Sequence, residues 1–159
     1  MVTVDIVSQL VARELCACAT SMRASELPPR REILKHVREN EVKGDRFGPP
    51  HERTIKHLAA PWTMGTHHIW MGISEIDVGS SSSFHSHDDV EEIFFVIAGH
   101  GKIRVNNDVE AIGPGSCIYI PIGSSHQLIN LGSETLKVVA SASPPFNREK
   151  FDKVHRMHP

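Results

Sequence analysis

From about residue 52 onwards, the hydrophobic and polar positions fall into short runs rich in β-forming residues, separated by Gly, Pro, Asn and Ser. Runs of this length between turn-forming residues are typical of strands. Gly99-His100-Gly101 and Asn106-Asn107-Asp108 have the composition of hairpin turns. Many short strands at even spacing favour an antiparallel sandwich or barrel. The pattern predicts strands at 53–59, 67–77, 83–87, 92–97, 101–105, 108–112, 116–120, 125–129 and 135–141.

The first fifty residues have a different pattern. Between positions 3 and 22, apolar residues recur at intervals of three and four, which is typical of an amphipathic helix. A second short helix is predicted near 30–40, after the break at Pro28-Pro29, and a third near 147–156. We therefore expect three parts: an N-terminal helical extension at 1–50, a β-barrel at 51–145 and a tail at 146–159.

The composition excludes several classes of protein. A length of 159 residues corresponds to about one domain, which can fold without disulfides or a metal. Three cysteines without framework spacing do not form a disulfide scaffold. The net charge of −2 and the lack of a basic run make nucleic acid an unexpected partner. Because no apolar stretch approaches the ~20 residues that span a bilayer and no secretory signal is present, we expect a cytoplasmic protein with no membrane partner.

Histidine is unusually frequent, with eleven residues in the chain. His85 and His87 have a spacing that can carry chemistry. Residues i and i+2 of a strand point to the same face, so two imidazoles about 6.6 Å apart at the backbone can converge on one ion. Four other histidines are expected to be scattered over the surface: His36, His51, His155 and His158.

A carboxylate and a third imidazole can join this pair. After His87 the chain turns and returns as a strand that contains Glu92. If Glu92 points inward, Phe94 and Val96 do as well. A carboxylate then lies beside the imidazoles, with apolar side chains next to it on the same face. His126 begins another strand and can supply a nitrogen from across the barrel. Such a ligand set suits one divalent first-row metal, namely Fe, Mn, Zn, Ni, Co or Cu.

Two segments of the chain resemble the two motifs of the cupin superfamily. The first segment has Gly79, five residues, His85-Ser86-His87, four residues, Glu92, six residues and Gly99. The resemblance implies that the two histidines and Glu92 are metal ligands, and that Glu91 faces outward. It also implies that Gly79 and Gly99 occupy turns, where a positive φ or a close backbone approach favours glycine.

The second segment has Gly115, five residues, Pro121-Ile122-Gly123, two residues, His126, three residues and Asn130. Fifteen residues, 100–114, separate it from the first segment, and the resemblance covers roughly 52–143. By resemblance, His126 is the remaining metal ligand, Gly115 and Gly123 are turn glycines, Pro121 ends a strand, and Asn130 is structural. The fold implied is mainly β, a cupin double-stranded β-helix, which is an antiparallel jelly-roll barrel often found as a homodimer.

Other residues are candidates for the substrate pocket. Cys117 could act as an acid or nucleophile if its thiol faces the barrel interior, whereas the alternative is a small buried hydrophobic residue. Alternation places His68 and Trp70 on one face of a strand that could line the pocket, against a simple packing role. Arg104 is a candidate anchor for an anion. Phe94 and Val96 would favour a small, partly hydrophobic substrate.

The reaction cannot be assigned from the fold, because the cupin barrel hosts many chemistries. A dioxygenase-type oxidoreductase is the first expectation, with a small oxygenated organic molecule as substrate. A metal-dependent isomerase, lyase or decarboxylase that works through an enediolate is the second. A non-catalytic small-ligand-binding cupin is the third. Since imidazole ligands must be deprotonated, metal binding should weaken below about pH 6.

Overall fold

The computed structural model describes residues 34–156. From Val37 onwards the chain forms one compact unit. Within the described range, a 3-10 helix at Glu39–Glu41 precedes nine strands and a helix. In chain order these are β1 (Asp45–Phe47), β2 (Arg53–Ala59), β3 (Trp70–Ile76), β4 (Glu91–Ala98), β5 (Gly101–Val105), β6 (Asp108–Ile112), β7 (Cys117–Ile120), β8 (His126–Asn130), β9 (Leu136–Ser143) and α1 (Arg148–Arg156).

The strands form two antiparallel sheets. The larger sheet has the order β1-β2-β3-β9-β4-β7, and the smaller has the order β6-β5-β8. Two isolated bridges, Ser81 with Ile129 and His85 with His126, attach the segment before β4 to the free edge of β8. This segment therefore covers the edge of the smaller sheet and brings the first histidine pair beside the strand that carries the third.

The core lies between the two sheets, where both contribute alternate residues. Burial alternates along β4, β8 and β9, so that every second side chain points inward. Ile76, Val96 and Val138 of the larger sheet join Ile103 and Leu128 of the smaller in one apolar cluster. On β4, Glu92, Phe94 and Val96 are buried, and Glu91 is exposed, as the predicted orientation requires.

Most strands lie where the sequence predicts them, and β2, β5 and β6 match at both ends. The predicted strand at 83–87 is absent, because only His85 pairs with β8 there. Serine hydroxyls replace part of the ladder, since the Ser82 hydroxyl accepts from Leu128 N at 2.9 Å and donates to Ser83 O at 3.3 Å. The predicted short helix near 147–156 is confirmed as α1.

The structure does not support the predicted helical extension over the part of it that is described, residues 34–50. The helix at 3–22 and the start of the helix at 30–40 lie outside the described residues. Residues 34–38 have no regular structure, and β1 pairs with β2, so part of the expected extension belongs to the larger sheet. Glu39, which precedes β1, attaches the chain to the larger sheet through ion pairs with Lys56 at 2.9 Å and Lys137 at 2.6 Å. Cross-strand pairing and these charges outweigh a weak helical pattern.

The turn glycines and Asn130 hold the connections between strands. Gly79, Gly99, Gly115 and Gly123 have φ values between 75° and 91°. A Cβ on Gly99 would lie 2.5 Å from Thr135 O, so this turn has no room for a side chain. Asn130 is fully buried, and its amide donates to the carbonyls of Ile76 and Glu134, both at 2.9 Å. Among residues 34–156, no helix has the length and apolar character needed to cross a membrane.

Candidate metal centre

Backbone pairing brings His85 and His126 together. The amide of each residue donates to the carbonyl of the other, at 3.2 Å and 2.7 Å. Their ring centroids lie 4.5 Å apart, and the ring of His87 lies 4.9 Å from His85 and 5.5 Å from His126. One nitrogen from each of these three buried rings lies within 4.8 Å of the others. We call these residues the three-histidine cluster, and its geometry could hold a metal ion.

Glu92 lies beside this cluster, carried by β4 of the opposite sheet. Its Oε2 atom is 3.0 Å from His126 Nε2 and 3.3 Å from His87 Nε2. Despite these short distances, Oε2 has no hydrogen-bond partner in the described part of the chain. Burial raises the pKa of Glu92, but the neighbouring His126 and His87 outweigh it and lower the pKa to about 2. The carboxylate is therefore ionised in its buried position.

The other ring nitrogens are fixed by backbone carbonyls. His85 Nδ1 donates to Ser83 O at 2.9 Å, and His126 Nδ1 donates to Ser124 O at 3.0 Å. In the neutral tautomer that these bonds select, Nε2 carries a free lone pair, which is the arrangement of a metal-ligating histidine. Burial, followed by the charges of His126 and His87, lowers the pKa of His85 to about 3, so the ring is neutral at physiological pH.

Unsatisfied polar atoms indicate that this donor set suits an ion. The Nε2 atoms of His85 and His87 and Glu92 Oε2 are buried without hydrogen-bond partners among the residues described. Buried polar groups normally have partners, so three such atoms at one point require another explanation. Three imidazole nitrogens and a carboxylate oxygen are ligands that divalent first-row metals accept. The donors present therefore fit such an ion.

A small cavity adjoins the cluster inside the barrel. Its volume is about 40 Å³, and its lining includes His85, Glu92 and His126. The apolar part of the wall consists of Trp70, Phe94, Phe146 and Phe151 among others. On a scale of roughly 10–15 Å³ for each water, the cavity has room for about three water molecules. Any molecule held wholly inside it must be small.

A larger recess shares two aromatic rings with this cavity. It has a volume of about 290 Å³ and is lined by His87, Pro144 and Lys150, among others. Phe146 and Phe151 line both the recess and the inner cavity. These two rings therefore belong to the walls of both spaces, and the three-histidine cluster contributes His87 to the recess and His85 and His126 to the cavity.

His155 corrects the expectation of a surface histidine. It lies on α1, partly buried, with its ring 4.8 Å from His85 and 4.1 Å from Phe151. Burial, the imidazole of His85 and the charge of Arg53 lower its pKa well below the usual value. The sequence contained a signal for this position, because Phe151 and His155 are four apart and share one face of a helix.

Arg53 is a second cavity residue that sequence reasoning missed. It is 1% exposed, and its Nη2 atom lies 3.3 Å from His155 Nδ1. Burial lowers its pKa to about 10. The alternation along β2 could have predicted that Arg53 is buried, since Arg53, Ile55 and His57 share the buried face.

The remaining candidates divide between the cavity and the surface. Trp70 and Phe94 line the cavity, whereas Val96 is fully buried and is not part of its wall. His68 is corrected to an exposed position, because β3 begins only at Trp70 and the alternation does not extend to it.

Cys117 and Arg104 also lie away from the cavity, contrary to the expectation. Cys117 is exposed because burial along β7 begins only at Ile120, so its thiol cannot serve as an acid or nucleophile in the barrel. The Arg104 guanidinium lies over the ring of Phe84 at 4.3 Å, and its Nε donates to Asn106 O at 3.0 Å. These local contacts hold Arg104 at the outside of the smaller sheet.

Comparison with known proteins assigns the family. Residues 72–141 match the model of the cupin domain. An uncharacterised protein of Methanocaldococcus jannaschii is 32% identical over 46% of this chain and 59% of its own length. One of Streptomyces coelicolor is 32% identical over 47% of this chain and 70% of its own. The oxalate-binding protein of Thermotoga maritima is 26% identical over 65% of this chain and 89% of its own.

Solved structures agree with this assignment at the level of the fold. The crystal structure described as a predicted oxalate decarboxylase of Thermotoga maritima has a TM-score of 0.64 and 24% identity, covering 69% of this chain and 99% of that one. The matched region contains all residues of the three-histidine cluster and Glu92. By its sequence motifs, its two antiparallel sheets and these matches, the chain belongs to the cupin superfamily.

Proposed function

We propose that the protein is a metal-dependent enzyme that acts on a small oxygenated organic molecule bound in the cavity. The observation that carries the proposal is the convergence of four buried donor residues, of which His85, Glu92 and His126 line a cavity that could also admit a ligand. His85, His87 and His126 would hold the ion, with Glu92 as the fourth ligand. A degenerate barrel would have no reason to keep an ionised carboxylate buried beside three imidazoles.

The protein's own residues would prepare the site for chemistry. The carbonyls of Ser83 and Ser124 orient two imidazoles before an ion arrives. Phe94, Phe146 and Phe151 give the cavity a largely apolar wall, which strengthens electrostatic interactions within it. When bound, a redox-active ion such as Fe²⁺ would supply dioxygen chemistry, and a redox-inert ion would supply Lewis-acid polarisation of a carbonyl.

A dioxygenase is the first reaction to test, because the cavity is small and largely apolar beside the donor atoms. A decarboxylase, lyase or isomerase is the second candidate. It is favoured by the similarity to a protein described as oxalate-binding, whose name indicates a small dicarboxylic acid. Both reactions place the substrate in the same cavity, so they differ in their need for oxygen rather than in their residues.

Two linked measurements test the proposal. Elemental analysis of protein purified without added metal should give close to one transition-metal ion per chain. Turnover of a panel of small organic acids and carbonyl compounds is then measured with and without oxygen. Oxygen consumption by the iron-loaded protein would support a dioxygenase, and anaerobic turnover would support the second candidate. Tight ligand binding without turnover by any metal form would contradict an enzyme and identify a ligand-binding cupin.

A further inference from the structure

Arg53 is a buried cation that has no acidic partner among residues 34–156. It is 1% exposed and lines the inner cavity. Its guanidinium lies over the ring of Phe47 at 4.7 Å, and Nη2 lies 3.3 Å from His155 Nδ1. Nη1 has no hydrogen-bond partner within residues 34–156. In the same range no carboxylate forms an ion pair with this guanidinium, whose pKa is changed by burial alone.

This arrangement is costly unless a ligand completes it. Arginine is almost never fully buried without a partner, because its charge loses the solvation of water. Burial lowers the pKa of Arg53 to about 10, so the side chain is still charged at neutral pH. A stacked ring and a neutral imidazole do not neutralise that charge. An anion at the cavity would supply both the missing charge and the missing hydrogen-bond acceptor.

The position of Arg53 relates it to the proposed metal centre. Arg53 contacts His155, whose ring lies 4.8 Å from His85, so one imidazole separates the guanidinium from the three-histidine cluster. Arg53, His85 and Glu92 line the same cavity of about 40 Å³. A molecule of only a few non-hydrogen atoms could therefore contact both the guanidinium and the metal-binding side of the cavity.

We propose that Arg53 binds the carboxylate of the substrate, and that the substrate class is consequently a small carboxylic acid. This inference rests on the proposed metal-dependent function, because it places the substrate in the cavity beside the ion. Guanidinium groups bind carboxylates through short, charge-assisted hydrogen bonds, and Nη1 is available for one. A divalent ion, Glu92 and Arg53 together leave the cavity with a net positive charge, which favours an anionic ligand over a neutral one.

His155 is the positioning residue in this scheme. His155 Nδ1 lies 3.3 Å from Arg53 Nη2, within hydrogen-bond distance of the guanidinium. That contact holds one side of the guanidinium and leaves Nη1 for the ligand. The ring of Phe47 supports the guanidinium from its face. The anchor is thus built from three elements: β1, β2 and α1.

The test compares small acids with uncharged amides of the same shape. Glycolate, pyruvate and oxalate, and the corresponding amides, are titrated into manganese-loaded protein while its melting temperature and metal content are measured. The acids should raise the melting temperature of the wild type and the amides should not. Arg53→Met should weaken acid binding by about 10- to 100-fold, the range of one charge-assisted hydrogen bond. Arg53→Lys should retain part of the affinity.

The stability of the variants without acid separates a ligand-binding role from a structural one. Replacing a buried, unpaired charge with an apolar side chain should leave the melting temperature of Arg53→Met unchanged or raise it. Arg46→Met is the control, because Arg46 forms an ion pair with Asp77 at the surface. It should keep the full response to acids.

Three results would overturn the proposal that Arg53 binds the carboxylate of the substrate. They are equal stabilisation of wild type by acids and amides, an undiminished acid response in Arg53→Met, and a marked loss of stability in that variant without acid. Failure of Arg53→Met to fold would be the extreme form of the third result and would overturn the proposal in the same way. A wild type that retains none of the divalent first-row metals would instead contradict the proposed function. The acid-over-amide preference of metal-free protein would then test Arg53 alone.

Discussion

His85 and His126 each donate Nδ1 to a backbone carbonyl two residues before them, at 2.9 Å and 3.0 Å. The repeated contact makes the two rings present the same nitrogen, Nε2, to the cavity. The spacing of His85 and His87 was sufficient to predict that their rings share a face. The choice of nitrogen was not predictable, because it depends on where the carbonyls of Ser83 and Ser124 point in three dimensions.

We expect His126→Ala to lose metal. The substitution removes one of three nitrogens that lie within 4.8 Å of one another. Loss of an outer-shell contact already lowers metal affinity about 10- to 100-fold, and loss of a ligand should cost at least as much. Metal content after dialysis against a weak chelator measures the effect. His100→Ala is the control, since His100 is exposed at the β4–β5 turn. Equal metal retention by both variants would contradict the ligand assignment.

His57 should make the stability of the protein sensitive to acid. Burial lowers the pKa of His57, and the contact with Asp45 at 3.1 Å only partly opposes this effect. Trp70 Nε1 donates to His57 Nδ1 at 3.1 Å, so the neutral ring is the one that fits. The unfolded chain therefore binds a proton more readily than the folded chain, and stability should fall as the pH decreases from about 6.5 towards the lowered value.

Urea unfolding of metal-free protein at pH 7.5 and at pH 5.5 checks this prediction. His57→Gln should lose less stability between the two pH values than the wild type. The variant should still lose some stability at the lower pH, because burial also lowers the pKa of His85 and of His155. The exposed His100→Gln should behave as the wild type. An unchanged pH dependence in His57→Gln would show that His57 does not contribute.

At the scale of elements, the alternation of apolar and polar residues predicted side-chain directions correctly in strands that have one buried face. The alternation on β4 fixed the inward direction of Glu92 and the outward direction of Glu91. The same reasoning failed for 83–87, where only His85 pairs with β8 and the neighbouring Ser82 hydroxyl accepts from Leu128 N. The interior position of α1 was also missed, because nothing in its own nine residues indicates which surface of the barrel it covers.

Helix α1 closes the cavity through Phe151. This side chain is 2% exposed and packs with His57 at 4.7 Å and Phe146 at 5.6 Å between ring centroids. We expect Phe151→Ala to lower the free energy of unfolding by about 3–5 kcal/mol, as for other buried phenylalanines. Urea unfolding measures this change. Lys153→Ala, on the exposed side of the same helix, should change stability by less than about 0.5 kcal/mol. Similar losses in both variants would mean that α1 contributes through its helical structure alone.

At the scale of the whole molecule, the outer face of β4 and β7 is unusually apolar. Ile93, Phe95 and Ile97 alternate along the outside of β4 and are 49%, 43% and 41% exposed. Tyr119 of β7 lies opposite Ile93 in the register. Contiguous exposed apolar patches often mark contacts between proteins. We propose that this face contacts a second copy of the chain, which agrees with the homodimer expected from the family resemblance.

Phe95→Lys should shift the protein from dimer to monomer. A lysine at the centre of the apolar face would place two like charges near each other across a two-fold interface. Light scattering coupled to size-exclusion chromatography measures the mass of each species. Val109→Lys is the control, because Val109 is 50% exposed on β6 of the other sheet. A wild type that elutes as a monomer at all concentrations would contradict the proposed interface.

The reciprocal amide bonds between His85 and His126 have one more consequence. The two peptide N–H groups lie in the same bridge that sets the separation of the imidazoles. An ion that joins the two rings would hold this bridge closed, so deuterium should enter both positions more slowly in the loaded protein. Deuterium uptake at the amides of His85 and His126 would then report whether a metal is bound to their side chains, without any assay of turnover.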